Sequence, residues 1–266
     1  MEGLYMAKTL STELYNDLIS ESLELGKTRY LILSRGRSRT IVSHKMFPFA
    51  DVIVPEYEKA LYEKKINKAV LTYPDNIHGL SILRNYILRK FTEEIIIMID
   101  DDIDKLYNQE FNTYTRITDP IDIKRILDST AAITKDLGKS LFGYKPSRNI
   151  TFYDPTNPFR LNGWVGTVIG IVGRKYYFDE HNILKTDIDY SLQCLLEDRI
   201  IIQDMRYVFD SIKIKNSGGN STYRTKDRVE SEQMYLKRKW GKHIVYVVNE
   251  DGETTKINVK RNLRNK

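Results

Sequence analysis

Cysteine is nearly absent from this chain of 266 residues: Cys194 stands alone, so no disulfide can form within it. Histidine is also scarce. His44, His78, His181 and His243 are too scattered to build a zinc-type cluster with that single thiol. No apolar run approaches the ~20 residues a membrane-spanning helix needs. The start, Met1–Lys8, lacks the apolar stretch of a secretory signal. A cytoplasmic protein without membrane contact is therefore expected, and the sequons at Asn149 and Asn220 carry no meaning there. Neither a Walker sequence nor G-x-G-x-x-G occurs; Gly166, Gly170 and Gly173 have the wrong spacing for either. Kinase-like and dinucleotide-binding readings are disfavoured accordingly.

The length allows one large α/β domain or two small ones, with ample material for a core. The net charge of +6 is compatible with an anionic partner such as a nucleotide diphosphate or DNA, although many ordinary cytoplasmic proteins share it.

The chain is organised around Ile95–Asp104, I-I-I-M-I-D-D-D-I-D. Its apolar run suits a strand buried on both faces, as in the middle of a parallel sheet. Ligands bind such sheets beyond the carboxyl ends of the strands. Strand alternation sets Asp100 and Asp102 on one face and Asp101 on the other. Two carboxylates converging there suit Mg²⁺ or Mn²⁺ shared with phosphate oxygens. The plain alternative is a solvated acidic turn.

Before this strand, the pattern predicts a helix over Ser11–Leu25 and strands over Tyr30–Leu33, Ala50–Val54 and Ala69–Thr72. Helices are expected from Glu56 to about Lys65 and over Gly79–Phe91. The loop Ser34-Arg35-Gly36-Arg37-Ser38-Arg39-Thr40 follows a core strand at once. Arginine forks grip phosphate, and glycine lets a backbone approach closely. After the strand come a helix over Asp119–Leu137 and a polar, aromatic segment, Gly138–Phe159, expected to cross the mouth of the site. A buried strand is expected over Val165–Val172, with Arg174–Phe178 continuing it. Asp187 lies at or just inside the start of a helix with Ile188, Leu192, Leu195 and Leu196 inside. Local sequence reads it as a cap, and the alternative is a general base supported by Asp189. Arg199–Val208 is a strand region, Lys215–Arg228 a polar loop, and Glu230–Trp240 a helix stopped by Gly241. A hairpin over Ile244–Val248 and Thr254–Val259 and a basic tail, Lys260–Lys266, end the chain.

In order, the Ser34-Arg35-Gly36-Arg37 loop, Pro55-Glu56, Gly79 with Arg84-Asn85, Asp100-Asp101-Asp102 and Thr186-Asp187 resemble a glycosyltransferase of the GT-A fold. The loop, together with Asp-Ile-Asp-Tyr-Ser and Lys239-Trp240-Gly241, is most similar to the TET-associated glycosyltransferases. These are mostly phage enzymes thought to glycosylate hydroxymethylated pyrimidines in DNA. The resemblance spans roughly Tyr30 to Gly241. It implies an α/β fold with a Rossmann-like, mostly parallel sheet flanked by helices. It divides the chain into a nucleotide-sugar half (1–110), an acceptor-side half (111–241) and a C-terminal hairpin and tail (242–266). Ser34, Arg35 and Arg37 would contact the donor nucleotide, a UDP-sugar, and Glu56 its base or ribose. Arg84 would lie near the diphosphate, and Asp101 would also line the donor site. Asp100 and Asp102 would hold the donor through Mn²⁺ or Mg²⁺. Asp187 would be the base in an inverting transfer, although Thr186 stands where the family commonly has Glu. A phage-encoded chain would work in the host cytoplasm on DNA. Alternative readings are a polysaccharide or small-molecule acceptor, or a non-catalytic nucleic-acid-binding protein on the same fold. Trp164, Tyr144, Tyr153 and Phe159 are candidate stacking surfaces, against the commoner role of aromatics in cores.

Overall fold

The computed structural model describes residues 28–149, 153–212, 225–249 and 252–259. The helix expected over Ser11–Leu25 and the tail Lys260–Lys266 lie outside these residues, as does most of the Lys215–Arg228 loop.

In chain order the elements are β1 (Thr28–Leu33), the single turn α1 (Ser43–Met46), β2 (Asp51–Pro55), α2 (Lys59–Ile66), β3 (Leu71–Tyr73), α3 (Leu80–Lys90) and β4 (Ile95–Asp100). Then follow β5 (Ile103–Glu110), β6 (Thr113–Ile117), α4 (Pro120–Asp136), β7 (Leu141–Tyr144), β8 (Phe159–Arg160) and β9 (Val168–Val172). The last are α5 (Thr186–Asp198), β10 (Ile202–Asp204), β11 (Tyr207–Ser211), α6 (Lys226–Trp240), β12 (Ile244–Asn249) and β13 (Gly252–Ile257).

An eight-stranded sheet runs in the order β3-β2-β1-β4-β9-β7-β10-β8. Its first four strands are parallel, joined by the crossovers that such pairs require. Beyond β4 the sheet is mixed: β9 runs antiparallel to both β4 and β7, whereas β10 is parallel to β7. The expected parallel sheet with its acidic strand at the centre is therefore present. Its second half is partly antiparallel because β9 enters beside β4 in the opposite direction.

The run in β4 is apolar throughout because both faces are covered. Ile95, Ile97 and Ile99 join Leu127 and Ala131 of α4 on one face. Ile96 and Met98 join Leu83, Ile87 and Leu88 of α3 and Leu195 of α5 on the other. Each of these five β4 side chains is at most 2 % exposed, and each such burial contributes about 1.5–3 kcal/mol. The start of α4 is set locally: Pro120 opens it and the Asp119 carboxylate accepts the Ile121 N–H at 2.8 Å.

Several sequence expectations are corrected. The third strand begins at Leu71 rather than Ala69. Leu141–Tyr144 does not cross the mouth of a site. It is an internal strand, fully buried, because β9 and β10 flank it on both sides. The buried strand begins at Val168 rather than Val165, and Arg174–Phe178 is irregular, held by its buried aromatics Tyr176 and Phe178 rather than by a ladder. Arg199–Val208 holds the start of β11 as well as β10, and these belong to different sheets. Helix α6 begins at Lys226, four residues earlier than expected, because Thr225 caps it by accepting the Arg228 N–H. The C-terminal hairpin is present, and Ile244 of its first strand packs with Ile188, Leu192 and Leu236 of α5 and α6.

Candidate active site

The acidic turn follows from where β4 stops. Ile99 is the last core residue, and the chain leaves the ladder at Asp100 and turns through Asp101 and Asp102 into β5. Strand alternation thus ends at Asp100, and a turn distributes the three carboxylates. Ser43 at the head of α1 braces that turn. Its hydroxyl donates to the Asp100 carbonyl at 2.7 Å and accepts the Ile103 N–H at 2.8 Å. On the other side, the Asp100 N–H donates to the Thr167 carbonyl at 2.9 Å.

Asp101 is buried and faces the loop after β1. Its carboxylate accepts from the Ser34 hydroxyl and, at 2.7 Å, from Arg37 Nη1, which also lies 3.7 Å from Asp102. Gly36 takes φ 68°, a conformation glycine adopts without strain, and its N–H meets both oxygens of Glu58 at 2.8 and 3.0 Å. The Tyr62 hydroxyl accepts the Arg37 N–H at 3.0 Å and lies 2.6 Å from the Ser34 hydroxyl. Arg35 donates to the Ile77 carbonyl and meets His78 Nδ1 at 3.0 Å.

Between this loop, the acidic turn and the start of α3 lies a cavity of about 240 Å³. Ser34, Arg35, Arg37, Asp100, Asp101 and Asp102 all line it, with Tyr73, Ile77, Leu80 and Leu83 as its apolar wall. Glu56 is exposed and does not line it. Arg84 does not line it either: it is 4 % exposed, donates Nη1 to Thr186 Oγ1 at 2.8 Å and rests over the Phe178 ring.

Arg84 joins the two acidic regions. Burial lowers its proton affinity, and the charges that restore it are those of Asp100 and Asp187. Burial pushes the Asp100 carboxyl up to about 7; Arg84 opposes this, while Asp102, Asp101 and Asp187 add to it. Burial likewise raises Asp187, against Arg84 and the N–H groups of Ile188 and Asp187 at the helix start. Both carboxyls are deeply surrounded yet keep part of their surface accessible. Asp187 is not the cap, since Lys185 holds that position and Asp187 is the second residue inside α5. Asp189 is 1 % exposed and fully engaged, accepting from Trp240 Nε1 at 2.6 Å and lying 2.9 Å from Lys239 Nζ.

The donor set fits a hard cation in a limited way. Among the described residues no three His, Cys, Asp or Glu side chains gather as a metal site. Asp101 is committed to Ser34 and Arg37, leaving Asp100 and Asp102. Their raised proton affinities mark a pair that is costly to ionise without added positive charge. Such a pair suits Mg²⁺ or Mn²⁺ completing its shell with phosphate oxygens and water.

The family model for the TET-associated glycosyltransferases matches residues 28–219, well over half of the chain. The chain belongs to that family. It is a glycosyltransferase, and its mostly parallel sheet flanked by helices, with β4 ending in the acidic turn, is the α/β architecture expected from sequence. No curated protein matches it by sequence. Among solved structures it is similar to mannosyl-3-phosphoglycerate synthase from Rubrobacter xylanophilus, with 13 % identity and TM-score 0.48 over 92 % of this chain and 89 % of that one. The mannosyltransferase PcManGT from Pyrobaculum calidifontis, solved with GDP-Man and Mn²⁺, gives 11 % identity and TM-score 0.49 over 80 % and 63 %. Glucosyl-3-phosphoglycerate synthase from Mycobacterium tuberculosis, solved with Mn²⁺ and UDP, gives 12 % and 0.46 over 89 % of each chain.

Sequence reasoning missed several residues at this TET-associated glycosyltransferase site. Glu58 and Tyr62 brace the Ser34–Arg37 loop from the helical segment after β2, and only their spacing of four hinted at a shared face. Thr186 was noted as a departure from the family pattern, and its contact with Arg84 comes from tertiary packing. Of the candidate stacking surfaces, Tyr144 is core at 3 % exposure.

Proposed function

We propose that this glycosyltransferase moves a sugar from a nucleotide-sugar donor, UDP-linked, to a hydroxyl acceptor, by an inverting displacement with Asp187 as base. The observation that carries this reading is the placement of Arg84. It is buried, meets Thr186 Oγ1 at 2.8 Å next to Asp187 at the start of α5, and its charge favours the ionised forms of both Asp187 and Asp100. Arg35 and Arg37 at the cavity wall suit a diphosphate. Asp100 and Asp102 would hold Mn²⁺ or Mg²⁺, which when bound supplies positive charge against the leaving diphosphate. Asp187 takes the proton of the acceptor hydroxyl as its oxygen bonds to the anomeric carbon. The bond from that carbon to the phosphate oxygen breaks, and its electron pair leaves with the nucleotide diphosphate. A carboxyl raised by burial is a stronger base once ionised, which serves this step.

For the acceptor, we propose 5-hydroxymethylpyrimidine in DNA, supported by family membership and the net charge of +6. The test incubates the enzyme and Mn²⁺ with hydroxymethylated or unmodified duplex and a panel of sugar nucleotides, followed by mass spectrometry of the nucleosides. A hexose or pentose mass added only to the hydroxymethylated base is expected. Sugar nucleotide turnover with no DNA adduct would refute the acceptor while leaving the transferase.

A further inference from the structure

A three-stranded sheet, ordered β11-β5-β6, stands beside the acidic turn. Its pairing sets Lys105, Tyr107 and Gln109 of β5 on one face, with Asp210 opposite Lys105, Arg116 opposite Tyr107 and Tyr114 opposite Gln109. The other face, with Leu106, Ile117, Tyr207 and Phe209, joins the core. The sheet is tied to the turn itself, because the Ile212 N–H just after β11 donates to the Asp102 carbonyl at 2.9 Å. The outer face therefore begins at the acidic turn and runs away from it along β5, with Tyr107 about 15 Å beyond Asp102 at extended-strand spacing.

Positive charge on this face exceeds what its carboxylates balance. Arg148, exposed, lays its guanidinium 5.0 Å over the Tyr107 ring, and its Nε lies 3.3 Å from Asp210. Tyr114 meets Tyr107 edge-on, with ring centroids 6.2 Å apart. The buried Lys145 ammonium donates to Gln109 Oε1 and, at 3.0 Å, to Tyr114 Oη, and both acceptors are neutral. Arg116 is exposed. Asp104 is taken by Lys105 at 3.4 Å, as Asp210 is by Arg148. Among the described residues no carboxylate pairs with Arg116 or Lys145. An anion from outside the chain would meet that surplus, and a guanidinium stacked on a ring is already oriented to receive one.

We propose that this outer face holds the phosphate backbone of the acceptor DNA, with Arg116 and Arg148 as the principal contacts and Lys105 nearest the acidic turn. This rests on the reading of the acceptor as DNA. Charge complementarity selects the occupant: exposed arginines on a rigid sheet suit a run of phosphates, whereas a protein partner would need apolar area that Lys105, Arg116 and Arg148 do not supply. Such contacts carry no base preference. They fix the position and orientation of the strand while the base is handled elsewhere.

The experiment follows the fluorescence anisotropy of a labelled short duplex, plain or hydroxymethylated, across a series of salt concentrations. The proteins are wild type, Arg116→Ala, the double variant Arg116→Ala/Arg148→Ala, and Lys64→Ala. Lys64 is an exposed lysine of α2 and controls for net charge alone. Arg116→Ala is expected to weaken both duplexes alike, by about fivefold, and to lower the slope of log affinity against log salt by ~0.9. The double variant should lower that slope by ~1.8. Lys64→Ala is expected to stay within twofold of wild type. Arg116 decides the matter alone if the double variant melts early, because its side chain is exposed. An Arg116→Ala variant with wild-type affinity and slope, or an equal loss in Lys64→Ala, overturns the face even where wild type glycosylates hydroxymethylated DNA. A wild type that neither binds duplex at low salt nor adds sugar to DNA overturns the acceptor reading, and the face with it.

Discussion

The two acidic regions of the site are built alike and used differently. At the end of β4, Asp101 is spent on Ser34 and Arg37, whereas Asp100 is raised by burial against the charges of Arg84 and Arg37. At the start of α5, Asp189 is spent on Lys239 and Trp240, whereas Asp187 leans on Arg84, on N–H groups of the helix start and on Lys185. Each region thus pairs a carboxylate that holds the fold with one left partly open and raised by burial. Neighbours in sequence acquire opposite roles because adjacent residues face different partners.

That division can be broken from its acceptor side first. Asp187→Asn is expected to lower transfer about 10²–10⁴-fold with nucleotide affinity within about twofold of wild type, measured by product formation and calorimetric titration. A soluble variant with undiminished transfer would end the assignment. Asp189→Ala should act on stability instead. It leaves the Trp240 N–H unpaired and removes one of the two carboxylates at Lys239, which keeps Asp179 at 2.6 Å, and a loss of about 1–3 kcal/mol is expected in urea unfolding. A variant as stable as wild type would show that the two aspartates do not divide the work this way.

On the donor side, Asp102→Ala should weaken Mn²⁺-dependent nucleotide binding about tenfold, or ~1.4 kcal/mol. Equal titrations with and without Mn²⁺ in the wild type would refute the metal assignment. The smallest effect concerns Asp100. Its carboxyl lies near 7 in the fold against 3.8 ordinarily, so the native state holds a proton that the unfolded chain releases. The stabilisation is complete below 3.8 and is lost as pH rises through about 7. Metal-free Asp100→Asn should therefore be more stable than wild type at pH 8, by about 1 kcal/mol or ~2–4 °C in melting temperature, with the gap narrowing at pH 5. A gap that widens on acidification would reverse the sign.

Much of the region around the acidic turn was legible in the chain. The five-residue apolar run marked a central strand, and the arginines after β1 marked a wall that does line the cavity. Both signals are local, since burial on two faces and a basic loop after a core strand leave a contiguous trace. The start of α5 left less. Asp187 read as a cap because local sequence cannot tell position N2 from the cap itself, and Lys185 supplied no side-chain cap bond to mark the boundary. Tyr144 looked available for stacking because nothing local says that β7 is flanked on both sides.

By itself, then, the sequence determined which residues could carry charge chemistry, the alternation of strand and helix up to β4, and the family. Those properties reside in residue type and short spacing. Only the tertiary structure decided which carboxylates stay open, that β9 lies antiparallel beside β4, and that Arg84 and Thr186, 102 positions apart, meet at 2.8 Å. Burial and opposing charge set a carboxyl's behaviour, and both depend on chain segments that are brought together only by folding.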